Sequence, residues 1–309
     1  MKRRKWNQPQ RDFINGLLFA SPWIIGFFAF SVYPLVSSLY YSFTKFNAVT
    51  SPVWVGLDNF MDIFRDPLVF KSLGNTLFMA FISTPINLFV ALLLASIVCV
   101  NFRGRGLVRT AFFLPSVIPM VAATMVWIWM FDPTYGYINN VLGWFGINGP
   151  SWLMDAKYTK WALVLMGTWN TGTTMLVCMA ALQSVPKSYY ESAEIDGAGK
   201  ISRFIYITIP CIAHVLVYQA ILNIINAFQY FQQVSIITTA NAGVKGGGAA
   251  GGPENSILMY PLYIFENAFS YLKMGKASAM AWLLFIVVAV MTVIMTRITK
   301  KVTDNAGGE

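Results

Sequence analysis

The sequence predicts an all-α fold: a polytopic membrane protein with six transmembrane helices and a short helix in one of the loops between them. Of its 309 residues, 56% are hydrophobic and only 11% are charged, which leaves too few charges to cover a water-soluble domain of this size. The charged residues are also grouped, and the charge-free stretches between them can each hold a span of about 20 residues. The six stretches are residues 13–44, 72–102, 110–131, 161–186, 204–244 and 277–296.

The first stretch follows the basic run Lys2-Arg3-Arg4-Lys5, and its span is expected from Ser21-Pro22 to about Tyr41. A removable signal peptide would have a shorter apolar core followed by small residues at a cleavage site, so we expect a retained anchor. The chain then divides into an N-terminal segment (1–12), a six-helix transmembrane domain (13–298) and a C-terminal tail (299–309).

The distribution of Lys and Arg predicts the orientation of the six spans. Fourteen of the 22 basic residues fall on the side that holds both termini, and the other eight are spread over longer loops on the opposite side. Because cytoplasmic loops carry the excess of Lys and Arg, both termini and the loop at 187–203 are expected in the cytoplasm. This rule also accounts for the net charge of +9, so the charge does not indicate a nucleic-acid partner.

The cysteines and the single histidine lie in or beside predicted spans. Cys99, Cys178 and Cys211 are odd in number and are expected to behave as small apolar residues, so neither a disulfide framework nor a metal site is predicted. His214 lies in the fifth predicted span. Two interpretations stay open for it, a proton relay and a hydrogen-bonded contact between helices.

The sequence contains no recognisable catalytic motif. Gly199-Lys200 resembles the end of a phosphate-binding loop, but Glu194 and Ile201 occupy the positions where that motif needs a glycine and a Ser or Thr. Paired carboxylates, zinc-ligand spacings and nucleophile elbows do not occur in the sequence. We therefore expect a protein that is not an enzyme on its own and that holds no cofactor.

The loop after the fourth predicted span is polar and carries signals of a short helix. Pro186 ends the span, and Ser188 followed by Glu191 three residues later predicts an N-terminal capping box. Gly197 predicts a left-handed C-terminal residue, with the helix ending near Asp196. Such a short helix is marginal in water, and a carboxylate at its C-terminus opposes the helix dipole, so a docking partner with a basic group is expected.

Uncharged polar side chains recur along the fifth predicted span. Their steps of 4, 3, 4 and 3 residues place them within about 80° of one helix face. Amides and a phenol can exchange hydrogen bonds with the hydroxyls of a neutral solute without burying ions, although amides also hold membrane helices together, and both interpretations stay open. The candidate solute-path residues are Gln219, Asn223, Asn226, Tyr230 and Gln233, with Trp169 and Asn170 in the fourth span.

The polar loop contains the run Glu191-Ser192-Ala193-Glu194-Ile195-Asp196-Gly197-Ala198, followed by Phe204, Ile207 and Ile209-Pro210. This run resembles the EAA loop of the permeases of binding-protein-dependent ABC importers. In that family the loop is a coupling helix that sits in a cleft of the ATPase subunit. The resemblance implies an ATPase contact made by Glu191, Ser192, Ala193, Asp196, Gly197 and Ala198.

Further motifs extend the resemblance over about residues 13–298 and are similar to those of carbohydrate permeases of the maltose-transporter type. They are Trp54-Val55-Gly56-Leu57-Asp58-Asn59-Phe60, Asp66, Asn75-Thr76, Arg109 to Pro115, Trp127, Tyr135-Gly136, Asn139, Gly251-Gly252-Pro253, Ala268-Phe269, Met274-Gly275 and Ala277-Ser278-Ala279. The chain departs from the family pattern at three places. Ser192 replaces an alanine, His214 stands where many relatives have a second proline, and an insert at 241–250 lengthens a loop.

The resemblance implies a permease subunit that forms half of a translocation path for a sugar, with oligosaccharides expected from the subfamily. It implies a second permease subunit, two cytoplasmic ATPase subunits that bind the ATP, and an extracellular or periplasmic solute-binding protein, with the chain in the lipid of a bacterial inner membrane. Three alternatives remain: an ion-coupled secondary transporter, an ABC permease for a non-sugar solute such as a glycerol phosphate derivative, and a membrane scaffold or receptor subunit.

Overall fold

The computed structural model describes residues 8–241 and 251–306, and most of these residues are helical, as predicted. Two short strands, β1 (Thr44–Lys45) and β2 (Val53–Trp54), form one antiparallel pair. The α-helices are α1 (Gln8–Phe27), α2 (Tyr33–Ser42), α3 (Asp58–Arg65), α4 (Pro67–Phe78), α5 (Thr84–Cys99), α6 (Arg105–Phe113), α7 (Met120–Met130), α8 (Tyr137–Trp144), α9 (Ala156–Trp169), α10 (Gly172–Ser184), α11 (Lys187–Ile195), α12 (Lys200–Arg203), α13 (Ile209–Phe228), α14 (Gln232–Ala240), α15 (Tyr260–Phe265) and α16 (Met274–Ala306).

Short π-helical segments join several of these helices, and three of them end just before a proline. The segments are Phe28–Val32, Met79–Ser83, Phe204–Thr208 and Glu266–Ser270. Pro34, Pro85 and Pro210 each stand two residues after one of the first three. A proline cannot donate to the carbonyl four residues earlier, and its ring would clash there. The wider π turn relieves that clash, so these helices continue through the proline.

The lengths and apolar composition of the helices support four to six membrane spans within the described residues. Four helical runs are long enough to cross a membrane: Asp12–Ser42, Pro67–Cys99, Lys200–Ala240 and Met274–Arg297. The third of them is interrupted between Phe228 and Gln232. Two further pairs qualify only if each bent pair is one span: Arg105–Val117 with Met120–Met130, bent by 101°, and Ala156–Trp169 with Gly172–Ser184, bent by 52°. Each predicted charge-free stretch coincides with one of these runs or pairs.

The two bends have different physical causes. In the first, Ile118 precedes Pro119 and adopts the extended conformation that a following proline imposes (φ −71°, ψ 131°). In the second, α9 ends at Trp169 and α10 begins at Gly172, where a β-carbon would lie 2.9 Å from the carbonyl oxygen of Phe112. Close packing of this helix start against the end of α6 therefore requires glycine.

The chain forms two compact units. The first combines residues up to Arg65 with Asn267–Trp282, and Asn59 ties it together by donating from Nδ2 to the carbonyl oxygens of Ser42 and Thr44, both at 2.9 Å. Gly275 belongs to the same unit, and a β-carbon there would collide with the Thr44 carbonyl. The second unit contains Asp66–Glu266 together with the chain from Leu283 onward.

The core of the second unit lies where α5, α10 and α13 meet. Small side chains dominate it, including the fully buried Ala91, Ala95 and Cys178. Small residues allow close approach of membrane helices, so these three helices pack tightly around one seam. The predicted insert at 241–250, the N-terminal segment and the C-terminal tail lie partly outside the described residues.

Candidate functional site

The polar loop after α10 contains α11, which begins two residues earlier than the capping box predicts. The chain is extended through Val185 (ψ 124°) and Pro186 (ψ 133°), and Pro186 is the N-cap. Ser188 lies inside the first turn, and no side-chain hydrogen bond caps this end, so the predicted Ser188–Glu191 box is wrong. Proline fixes its own φ in the helical range and excludes helix from the residue before it, so the helix starts directly after Pro186.

The other end of α11 has the predicted geometry. Gly197 has φ +79°, and the amide of Ala198 donates to the carbonyl of Ala193 at 2.9 Å while that of Gly197 donates to Glu194 at 3.1 Å. These two hydrogen bonds form a Schellman motif. A β-carbon at Gly197 would have no heavy atom within 4 Å, so the requirement for glycine there is conformational and not steric.

An ion pair within this loop uses the carboxylate of Glu194. Arg203 Nη1 lies 3.0 Å from Oε2 of Glu194 and joins the start of the next helix back to α11. Asp196, for which a basic partner is predicted, is the exposed C-cap residue. Because the Glu194 side chain is 71% exposed, the pair adds at most about 1 kcal/mol and serves mainly to orient the loop.

The outer face of the loop presents apolar side chains to the surroundings. Ile195 is 87% exposed, Ile201 77% and Tyr206 76%. Glu191, Ser192, Gly197 and Asp196 are exposed beside them, whereas Ala193 and Ala198 are half-buried. An open groove runs beside them and is bordered by Tyr189, Ala193, Asp196 and Tyr206. Exposed apolar side chains with charged neighbours are typical of a protein-docking surface.

The inner face of α11 is held against the helical core. Tyr190 packs against the cluster formed by α5, α10 and α13, and its hydroxyl lies 2.8 Å from Oγ1 of Thr208. Phe204 and Cys211 contact the same cluster. A force applied to the outer face of the loop would therefore be transmitted directly to three of the long apolar helices.

The polar stripe predicted on the fifth span does not lie on one continuous helix. Gln219, Asn223 and Asn226 are on α13, but α13 ends at Phe228 and α14 begins at Gln232. Tyr230 lies in the break and Gln233 lies on α14, so the assumption of a single 100° periodicity across all five residues is wrong. The break leaves backbone groups that only a protein-lined or water-lined position can satisfy within a membrane.

Two buried polar atoms in this region have no hydrogen-bond partner among the residues that the structure describes. They are Oη of Tyr230 and Oδ1 of Asn87. Asn87, on α5, was not predicted. Its Nδ2 donates to Oγ of Ser83 at 3.2 Å, and the amide packs where a β-carbon on Gly167 would be 3.0 Å away. An amide inside the otherwise apolar run 85–95 is the sequence signal that could have identified it.

The two candidates of the fourth span lie at its bend. Trp169 is the last residue of α9, and its ring lies 5.8 Å from that of Trp127 in an edge-on contact. Asn170 is the exposed C-cap of α9. A bend of 52° at this point makes both side chains part of a helix interruption, as Tyr230 is in the fifth run.

Several motif residues outside the loop have structural roles. Asp66 caps α4 through the Leu68 amide at 2.9 Å, and its other oxygen accepts from the Tyr263 hydroxyl at 2.6 Å. Asn75 donates to the carbonyl oxygens of Asn255 and Leu258, both at 2.9 Å. These contacts join segments nearly 200 positions apart, which explains why such polar residues belong to the motif.

The fold and the loop define a class: a helical membrane protein with a docking loop anchored to its long apolar helices. The chain belongs to the family of binding-protein-dependent transport system inner membrane components, whose model matches residues 87–304.

Curated relatives support this assignment over almost the whole chain. A probable ABC transporter permease protein of Bacillus subtilis (strain 168), YesP, is 36% identical over 295 residues, covering 94% of this chain and 92% of that protein. The lactose transport system permease protein LacF of Rhizobium radiobacter is 32% identical, covering 90% and 92%.

A solved structure shares the fold. A chain of a bacterial ABC transporter involved in the import of the acidic polysaccharide alginate gives a TM-score of 0.80 at 22% identity, covering 97% of this chain and all of that one.

Proposed function

We propose that this chain forms half of the translocation path of an ATP-driven importer for a sugar, and that α11 with its glycine turn is the helix on which a partner ATPase acts. Six spans cross the bacterial inner membrane in this proposal, with each bent helix pair as one span and both termini in the cytoplasm. The partners are a second permease, two ATPase subunits that bind the ATP, and a solute-binding protein on the opposite side.

The two-sided construction of the loop supports the coupling role. Its outer face carries exposed Ile195, Ile201 and Tyr206, while Tyr190 on the inner face packs on the cluster of α5, α10 and α13. A cleft on the ATPase that holds the outer face would move all three helices together. Glu191 offers an exposed carboxylate for a basic group on that cleft.

The helix breaks support the solute path. The amide of Asn170 and the phenol of Tyr230 lie at interruptions of two apolar runs, and buried Tyr230 Oη and Asn87 Oδ1 lack partners in the described protein. A sugar hydroxyl can donate a hydrogen bond to either oxygen. That bond would replace the hydrogen bonds to water that the oxygen loses when it is buried. A neutral solute fits best because the candidate residues carry no charge.

A phosphate ester is a second candidate solute. The relatives include sn-glycerol-3-phosphate transport system permease proteins, one of which, from Pectobacterium atrosepticum, is 29% identical over 276 residues. That solute needs a cation in the path, and the candidate path residues supply none in this chain. The two candidate solutes therefore differ in charge, and a transport assay that compares a neutral sugar with a phosphate ester distinguishes them.

The test is to tag the C-terminus, extract the protein gently from its membranes and identify the co-purifying subunits. The proposal expects a second permease and an ATPase, and ATP-dependent uptake of a neutral sugar into vesicles when a loaded binding protein is added. Uptake driven by an ion gradient without any ATPase would refute the importer and favour a secondary transporter. ATP-dependent uptake of glycerol phosphate alone would keep the importer and exclude the sugar.

A further inference from the structure

The loop between α7 and α9 presents an aromatic surface with no assigned role. We propose that this loop, residues 132–154 with α8 at its centre and here called the α8 loop, lies in the membrane interface with its aromatic face among the lipid headgroups. The proposal is independent of which solute is carried.

The α8 loop is an ordered structure with its own internal hydrogen bonds. Oδ1 of Asp132 accepts from the amides of Thr134 and Tyr135, both at 2.8 Å. Oδ1 of Asn139 accepts from Nε1 of Trp152 at 2.7 Å, and its Nδ2 donates to the Pro150 carbonyl at 3.2 Å. These bonds hold α8 against the segment at 150–152, so the loop has a defined internal structure.

The exposed side of α8 carries large aromatic side chains. Asn139 is half-buried with its amide hydrogen-bonded, and Ile138 and Leu142 are half-buried beside it, whereas Tyr137, Asn140 and Trp144 are exposed on the other side of the helix. Tyr137 is 63% exposed and Trp144 77%, and Phe145, which follows directly, is 76% exposed. A face of this kind needs an apolar or amphipathic covering.

Charge and composition identify lipid as that covering. Residues 133–154 contain no charged side chain. The eight-residue helix α3, which also lies between two candidate spans, has Asp58, Asp62 and Arg65. A protein-docking surface would have a charged or polar rim, as the loop at α11 does. Trp and Tyr without charges are typical of the belt at a membrane–water interface.

The exposed apolar surface is also continuous with a candidate span. On α7, Met125 is 59% exposed and Trp129, one turn before the α8 loop, is 73% exposed. Lipid that covers α7 would therefore reach the α8 loop at Asp132, a half-buried residue whose Oδ1 accepts from two backbone amides. An interfacial helix of this type is expected with its apolar face about 5–10 Å into the headgroup and acyl boundary.

The test measures the depth of single fluorophores in the full-length protein, with its co-purified subunits, in lipid nanodiscs. Cys99, Cys178 and Cys211 are replaced by alanine, and an environment-sensitive dye is attached to Trp144→Cys or Tyr137→Cys. Asp62→Cys on α3 is the matched control. Nitroxide-labelled lipids carry the quencher either near the headgroup or deep in the acyl chain, and only samples that retain the native elution profile are compared.

The proposal expects blue-shifted emission from the dye at positions 144 and 137. Headgroup nitroxides should quench these dyes several-fold more than they quench the dye at position 62. At 144 and 137 they should also quench more than the deep nitroxides do. Emission at 144 that matches position 62 would place the loop in water and overturn the proposal. A blue shift with no quenching by either lipid would mean that protein covers the loop, and stronger deep quenching would place it inside the acyl region. Both of these results also contradict the interfacial position.

Discussion

Tyr230 and Asn87 each place a polar atom inside the helical core without a partner among the described residues. An unsatisfied buried group of this kind costs about 1–3 kcal/mol, so its retention needs a compensating role. Tyr230 was predicted as a path residue from its spacing, whereas Asn87 was missed because a lone amide produces no periodic signal. Burial and unmet hydrogen bonding cannot be deduced from spacing, since both depend on which helices pack together.

Replacement of Tyr230 by Phe tests whether its hydroxyl serves the solute. We expect KM for uptake to rise several-fold while the thermal stability stays equal or increases, because the change removes a buried hydroxyl that has no partner in the described protein. The measurement is uptake kinetics together with Tm of the purified protein.

Tyr263→Phe is the matched control. It removes the 2.6 Å hydrogen bond from the Tyr263 hydroxyl to Asp66 and should lower Tm with KM unchanged. An unaltered KM in Tyr230→Phe would contradict a solute contact at this hydroxyl.

At the level of elements, the apolar runs could be predicted from the sequence, but their bends could not. All six charge-free stretches coincide with the helical runs or bent pairs because absence of charge is a local property. The bend before Pro119 has a local cause, whereas the one at Gly172 follows from contact with α6. Similarly, the turn at Gly197 was predictable from one residue, but Pro186 overrode the Ser188 capping signal.

Gly172→Ala tests the packing explanation of the second bend. The new methyl group would be 2.9 Å from the Phe112 carbonyl oxygen and 3.0 Å from Cα of Phe113, so the helix start must move. Overpacking of this kind costs about 1–3 kcal/mol, and we expect a lower Tm.

Gly106→Ala on α6 is the control for that variant, because a β-carbon there has no heavy atom within 4 Å. It should leave Tm equal or slightly raised, since alanine favours helix. If both variants had the same Tm as the unchanged protein, the steric account of the bend would be wrong.

For the whole molecule, the family follows from ordered motifs that span most of the chain, and the comparisons agree. The solute does not follow, because the candidate path residues come from separate helices and the second half of the path belongs to another subunit in the proposed complex. The motif residues Asp66 and Asn75 hold the scaffold through hydrogen bonds between distant segments, and Asn139 holds the α8 loop together. The central claim concerns the loop at α11, where the scaffold meets the proposed ATPase.

The most direct test of that claim is the number of solute molecules carried per ATP hydrolysed in the reconstituted complex with Gly197→Ala. Alanine at φ +79° is strained by about 1–2 kcal/mol, so the turn should distort. We predict an assembled complex that hydrolyses ATP but carries several-fold less solute for each ATP. Gly197→Asn, which tolerates the left-handed conformation, and Gly199→Ala, at φ −69°, should keep the normal ratio. A normal ratio in Gly197→Ala would contradict the coupling role of the α11 turn.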